Sequence, residues 1–282
     1  MGILKNITDE YFGKTERQED GIERHKFTDK NGTVHEDGFY IPDGDHDKLE
    51  RLVEKLIKIR GDNADLNDID VSNITDMSHI FGSIWDSNEK EYTKLPFKTF
   101  NGNISGWDVS KVKNMEFMFR EAESFNSDIT KWDVSNVTNM YGMFLDCFTF
   151  NQPIGDWNIS NVKSTGFMFG NCYNFNEKLN SWKTEKVWNM GYMFYFTKSF
   201  NQPINNWKVS EVTNMSYMFC CAESFNQSLE KWNISKVEDM DGMFRSAKSF
   251  NQDLSKWNLT EKETTDIFKN CPIKDEYKPK MK

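Results

Sequence analysis

The sequence predicts an α/β repeat solenoid of about eight turns, and three observations carry the prediction. Trp107, Trp132, Trp157, Trp182, Trp207, Trp232 and Trp257 recur every 25 residues without a slip. Phe100, Phe125, Phe150, Phe175, Phe200, Phe225 and Phe250 do the same, each followed by Asn. A third column runs Met118-Phe119, Met143-Phe144, Met168-Phe169, Met193-Phe194, Met218-Phe219 and Met243-Phe244. Self-similarity at one fixed period marks a stacked array, in which each unit buries its apolar face only against its neighbours.

Composition agrees. Mean hydropathy is −0.73, low enough by itself to suggest disorder, yet 15% of residues are aromatic. Disordered chains lack aromatic side chains, so these rings must bury one another in a regular way.

The elements follow in chain order. Asn31-Gly32, between IERHKFTDK and TVHEDGFYI, is a hairpin signal. Residues 46–60 place Leu49, Leu52, Val53, Leu56 and Ile57 at helical spacing. Asp45 or Asp47 suits the start and Gly61 the stop. This amphipathic helix is expected to cap the first open turn, closing a region that spans 1–61. The repeat array spans 62–271. Its first turn, Ile69–Phe81, aligns with Trp107–Phe119 at an offset of 38, so 13 extra residues fall within 82–99 and predict a surface loop.

Within one repeat, Ile129-x-x-Trp132-x-Val134 follows the L-x-x-L-x-L spacing of a leucine-rich-repeat strand. A short strand is expected there, with Trp132 and Val134 inward. Val137, Met140, Met143 and Phe144 then suit a helical or 3-10 turn with one buried stripe. Like should stack on like at about 4.8 Å. The Asn column from Asn101 to Asn251 should form a side-chain ladder serving buried backbone groups. Lys262 and Thr265 break the apolar pattern, Ile267, Phe268 and Pro272 are expected to close the stack, and within the C-terminal tail over 272–282 the stretch DEYKPKMK reads as frayed.

The pattern W-D/N-V-S-x-V-x-N-M-x-x-M-F…F-N-Q, as in Trp132 to Met140, Met143-Phe144 and Phe150 to Gln152, resembles the BspA-like leucine-rich-repeat surface proteins of bacteria. The resemblance covers about residues 62–271. It implies a leucine-rich-repeat-like solenoid, usually surface-attached or secreted, associated with adhesion to host proteins or other cells. The motif residues are structural, so no functional site is carried over.

Chemistry-bearing motifs are few. A net charge of −9 disfavours nucleic acid as a partner. No stretch approaches the ~20 apolar residues of a membrane span. MGILKNITDEYFGK shows no apolar h-region and so no visible secretory signal, which suits a cytoplasmic protein or a mature or trimmed form; the resemblance implies the cell surface or the secreted state, with the cytoplasm as the alternative. The repeats hold no histidine, which removes the commonest general base and metal ligand. No catalytic residue, cofactor or metal site is expected, and the protein is not expected to be an enzyme.

Arg60-Gly61-Asp62 matches the integrin tripeptide, but a helix end accounts for it. Cys147 and Cys172 lie one period apart in a column of small residues and read as buried thiols, with a disulfide as the alternative. Sequons such as Asn136-Val-Thr138 are written by the repeat itself. Asp108 and Asp133 begin a column that continues Asn158, Lys183, Lys208, a solvated face. The central turns carry Leu145, Phe148, Tyr173, Trp188, Tyr195 and Phe196, where outer turns have Arg120, Glu123, Glu223, Arg245 and Lys248. These six are the candidate contact residues for a protein or glycan partner.

Overall fold

The computed structural model describes residues 21–86, 91–94, 97–259 and 265–281. Residues 1–20 of the N-terminal region, much of the insertion's centre and Lys262 lie outside them.

The N-terminal elements follow the sequence signals. Strands β1 (Glu23–Thr28) and β2 (Val34–Tyr40) pair antiparallel around Asn31-Gly32, with a register shift between His25 and Phe27. Helix α1 (His46–Arg60) starts at Asp45, whose side chain accepts from Lys48 N, and stops at Gly61. Leu49, Leu52, Val53, Leu56 and Ile57 are all buried, in one continuous cluster with Ile69, Val71 and Ile74 of the first repeat. The hairpin joins the array as well. β2 pairs in parallel with β3 (Ile69–Asp70), and Asp29 and His35 tie its turn down at 3.1 Å.

Arg60 holds α1 to the first repeat. Its guanidinium forks onto both Asp68 oxygens at 2.8 and 2.7 Å and also reaches the Asp65 carbonyl. Asp62 accepts from Thr99 Oγ1 at 2.7 Å. The integrin-like tripeptide is therefore occupied in joining helix to array.

Inside a repeat the backbone departs from the expected strand and helix. Around Trp132 it forms tight turns, with Trp132 N on Ile129 O and Val137 N on Val134 O. The ladder to the next repeat lies instead in the N-M-x-x-M-F segment. Met140, Gly142, Phe144 and Asp146 donate to Ser164, Gly166, Met168 and Gly170 at 3.0, 2.8, 3.0 and 2.9 Å. The residues between them turn back on their own segment: Met143, Leu145 and Cys147 donate three residues back. Parallel bridges link Asp76, Asn114, Asn139, Ser164, Asn189, Asn214 and Asp239 in succession.

The physical reason is chirality at two positions. Gly142 and Asp146, like Phe117, Glu121, Phe167, Asn171, Tyr192, Phe196, Tyr217 and Cys221, have φ between +52 and +63°. A left-handed residue ends a right-handed helix, so the segment becomes a run of linked turns. Among the described residues the chain thus has one α-helix, one 3-10 turn (Asp275–Tyr277) and short strands.

Side chains inside the array stack in columns. Phe119, Phe144, Phe169, Phe194, Phe219 and Phe244 stand 5.6–5.9 Å apart between ring centroids. The Phe100-to-Phe250 column is at 5.9–6.3 Å, and the Trp pairs that stack are at 6.1–6.5 Å. All exceed the 4.8 Å expected, and the spacing grows away from the hydrogen-bonded segment. Repeats are pinned together at the ladder and fan apart opposite it. Each indole from Trp107 to Trp232 donates to a backbone carbonyl of the preceding repeat at 2.9–3.2 Å.

The Asn ladder forms as well. Asn101, Asn126, Asn151, Asn176, Asn201 and Asn226 each accept, through Oδ1, from the backbone N–H 25 residues later at 2.8–3.0 Å. It is half-buried to exposed rather than buried.

The other end is closed by the chain itself. Leu254 N donates to Tyr277 O at 2.8 Å, and β6 (Asn258–Leu259) pairs in parallel with β7 (Lys280–Met281). The tail read as frayed is thus bonded to the last repeat. Part of the insertion, read as loop, is also ordered: β4 (Ile84–Asp86) pairs antiparallel with β5 (Glu91–Lys94).

Candidate functional site

The ladder segment has an inner and an outer side. Met140, Met143, Phe144 and Cys147 point into the core, while Tyr141, Leu145 and Asp146 remain half-exposed. Repeated along the array, the outer side carries a line of rings. His79 meets Phe117 at 5.3 Å, Phe117 meets Tyr141 at 5.2 Å edge-on, and Tyr141 meets Phe167 at 5.7 Å. Phe167 stacks on Tyr192 at 4.3 Å, and Tyr192 on Tyr217 at 4.9 Å.

Small residues make room for this line. Phe117 leans over Gly142, Tyr141 over Gly166, and Tyr217 over Gly242, each glycine 25 residues further on. A Cβ at any of the three would strike the ring. None of these rings was singled out from the sequence. The readable signal was an aromatic or apolar residue followed one period later by glycine or another ring.

The six candidates fall into four places. Tyr195 and Phe196 pack edge-on at 4.7 Å, and Tyr195 lies 5.5 Å from Tyr192, so these two extend the line. Leu145 covers Gly170 in the same manner as the rings. Phe148 stacks on Tyr173 at 5.0 Å, and Lys198 Nζ sits 5.0 Å over the Tyr173 ring. Trp188 stands apart from them, 49% exposed and flanked by Lys163 and Thr213 through backbone bonds.

Electrostatics follow from burial and neighbours. Burial pushes Tyr141, Tyr192 and Tyr195 above the ordinary phenol value, Tyr141 with help from Glu116. Burial also raises Asp146, with Glu121 and Glu123 adding to it against the Asn171 hydrogen bond. Cys220 Sγ lies 3.7 Å from Cys221 Sγ beside the line, and burial with the Cys221 thiol pushes Cys220 up to about 12.

Cys147 and Cys172 are free buried thiols whose S–H groups donate to Phe119 O and Phe144 O at 3.0 Å. The Thr197 hydroxyl makes the same bond to Phe169 O. Asp108 pairs with Lys30 at 3.2 Å, and Asp133 caps Ser135 N at 3.1 Å, so both serve local structure.

Two polar features lie near the N-terminal elements. A cleft of about 250 Å³ is lined by Phe27, Asp29, Asp70, Ser72 and Asp108. Asp29 is held below the ordinary carboxylate value: burial opposes this, but the His35 bond and the Thr33 and Asn31 N–H groups outweigh it. Among the described residues, His46, Asp47 and Glu50 bring ligand atoms within 4.8 Å of one another. They sit at the N-terminal end of α1, with His46 and Asp47 in its first turn and Glu50 one turn on, where the helix dipole opposes a cation.

The model of the family described as "Mycoplasma protein of unknown function, DUF285" matches residues 48–182 and 166–278. The chain belongs to this family. It is a repeat protein, and the two matches together take in the array and all but the first two residues of α1. No curated protein and no solved structure matches the chain. No helix of the described residues is long and apolar enough to cross a membrane.

Proposed function

We propose that this chain is a non-catalytic, leucine-rich-repeat-like solenoid that binds a protein partner through the outer side of its ladder segment. The observation that carries the reading is the ring line from His79 to Tyr217. Phe117, Phe167, Tyr192 and Tyr217 hold φ of 52–59°, a position that Gly142 and Gly242 occupy freely. A left-handed side-chain-bearing residue costs roughly 1–2 kcal/mol. The half-exposed rings recover about 0.5–1.5 kcal/mol from each stacked pair. Stability alone gives little reason to keep them, and an aromatic contact surface does.

A protein fits better than a glycan. Phe167, Tyr192 and Tyr217 cover each other's faces and present edges outward, whereas a sugar ring docks on an open aromatic face. Asn101, Asn126, Asp128 and Asp133 cap or ladder backbone N–H groups of the repeats, work that suits an array presenting a binding face.

By the BspA-like resemblance, the setting we propose is the cell surface or the secreted state, with adhesion as the use. Surface proteolysis of intact source cells tests it, followed by binding of the full chain and its Tyr192→Ala variant to neighbouring cells. Digestion on intact cells with binding lost in the variant supports an adhesin. Protection until lysis moves the same face to an intracellular scaffold, and unchanged binding by the variant removes the face from the account.

A further inference from the structure

The charges around the ring line say what kind of protein segment fits it. From Phe167 to Tyr217 the line itself is uncharged. At its N-terminal end stand Glu116, Glu121, Glu123 and Asp146, and at its C-terminal end Asp239, Asp241 and Asp266. The cations there are engaged: Arg120 lies 3.2 Å from Glu121, Lys98 2.8 Å from Glu123, and Arg245 3.7 Å from Asp266. Four carboxylates are left over. Glu116, Asp146, Asp239 and Asp241 have no Lys or Arg within ion-pair distance among the described residues. Their bonds are to neutral groups: Asn139 Nδ2 on Glu116, Asn171 Nδ2 on Asp146, Asp241 N on Asp239 and Thr265 N on Asp241.

We propose that this face takes an extended protein segment with an apolar or aromatic middle and Lys or Arg at both ends. The inference rests on the ring line being a contact surface. Glu116 and Asp241 are five repeats apart, about 24 Å at the ~4.8 Å spacing of a hydrogen-bonded ladder. An extended chain covers that in about seven residues at ~3.3 Å each. Guanidinium groups suit both neighbours, since they fork onto carboxylates and stack on Tyr rings. The middle of the segment meets the stacked rings of Phe167, Tyr192 and Tyr217.

The test titrates the full chain with two labelled peptides by fluorescence anisotropy. Both share a Leu-Tyr-Leu-Phe-Leu centre; one carries Arg-Arg at each end and the other Glu-Glu. Low salt should show the Arg-ended peptide binding at least about tenfold tighter, with the preference shrinking as salt screens it. The variant Glu116→Gln/Asp146→Asn/Asp239→Asn/Asp241→Asn removes the charge while leaving one acceptor oxygen on each side chain, and there the preference should fall below about threefold. Equal affinities, a Glu-ended preference, or a preference unchanged in that variant would overturn the charge assignment. Tyr192→Ala separates the two levels. If it weakens both peptides alike while no charge preference exists, the contact surface stands and only this inference falls. If it changes nothing, or neither peptide binds, the inference falls, and an unmoved affinity takes the ring line with it.

Discussion

Replacing Tyr217 by glycine should separate the array's outer rings from its core. Tyr217 holds φ +53°, its ring stacks on Tyr192 at 4.9 Å, and its side chain is half-exposed. Glycine relieves about 1–2 kcal/mol of left-handed strain but loses about 0.5–1 kcal/mol of backbone entropy. The stacked pair removes another ~0.5–1.5 kcal/mol, and partial burial of the ring about 1 kcal/mol. Losses of about 2–3.5 kcal/mol against that gain leave a net loss of about 0–2.5 kcal/mol. The ladder bond from residue 217 N to Asp241 O is a backbone bond and survives. Two residues on, Phe219 is fully buried, 4.0 Å from Phe225 and 5.6 Å from Phe244. Phe219→Ala should cost about 3–5 kcal/mol. Urea unfolding of both variants, read as the shift in midpoint at unchanged slope, makes the comparison. A Tyr217→Gly loss as large as that of Phe219→Ala would place the outer rings in the core and refute their reading as a contact surface.

Three further outcomes are expected. Burial holds the Cys147 and Cys172 thiols well above their ordinary value of 9.0; folding then favours the protonated form, so stability is intact below pH 9 and falls as pH rises beyond it. Cys147→Ala/Cys172→Ala should reduce that alkaline loss in pH-dependent unfolding, with Tyr141, Tyr192, Tyr195 and Cys220 leaving a remainder, and a slope unchanged from the parent chain would refute the assignment. Gly142→Ala places a Cβ at φ +58° against the Phe117 ring, and should lower stability by about 1–3 kcal/mol on thermal melting. Arg60→Ala breaks a partly buried two-point contact with Asp68, and should cost about 1–3 kcal/mol, seen as earlier hydrogen exchange in α1.

The ends and the interior of the chain differed in how openly they could be read. Helix α1 and the Asn31-Gly32 hairpin followed from local rules, because caps, turn residues and apolar stripes act within a few residues, whereas the Asn ladder, which joins residues 25 apart, followed from the period. Within the repeat, the spacing of Val137, Met140, Met143 and Phe144 fitted a helical turn as well as the run of linked turns that occurs. The order in the tail was equally hidden, since Lys280 and Met281 find their partners at Asn258 and Leu259. Of the candidate contact residues, Tyr195 and Phe196 join the ring line, whereas Trp188 stands on its own.

By itself, the 25-residue period determined which residues share a column, and so which rings bury one another. Identical side chains at a fixed spacing can satisfy their apolar surface only by stacking across repeats. Tertiary structure alone decided which segment carries the backbone ladder and which side chains it turns outward. That choice depends on left-handed φ values and on N–H groups whose acceptors sit in the neighbouring repeat, and neither leaves a mark in the hydrophobic spacing.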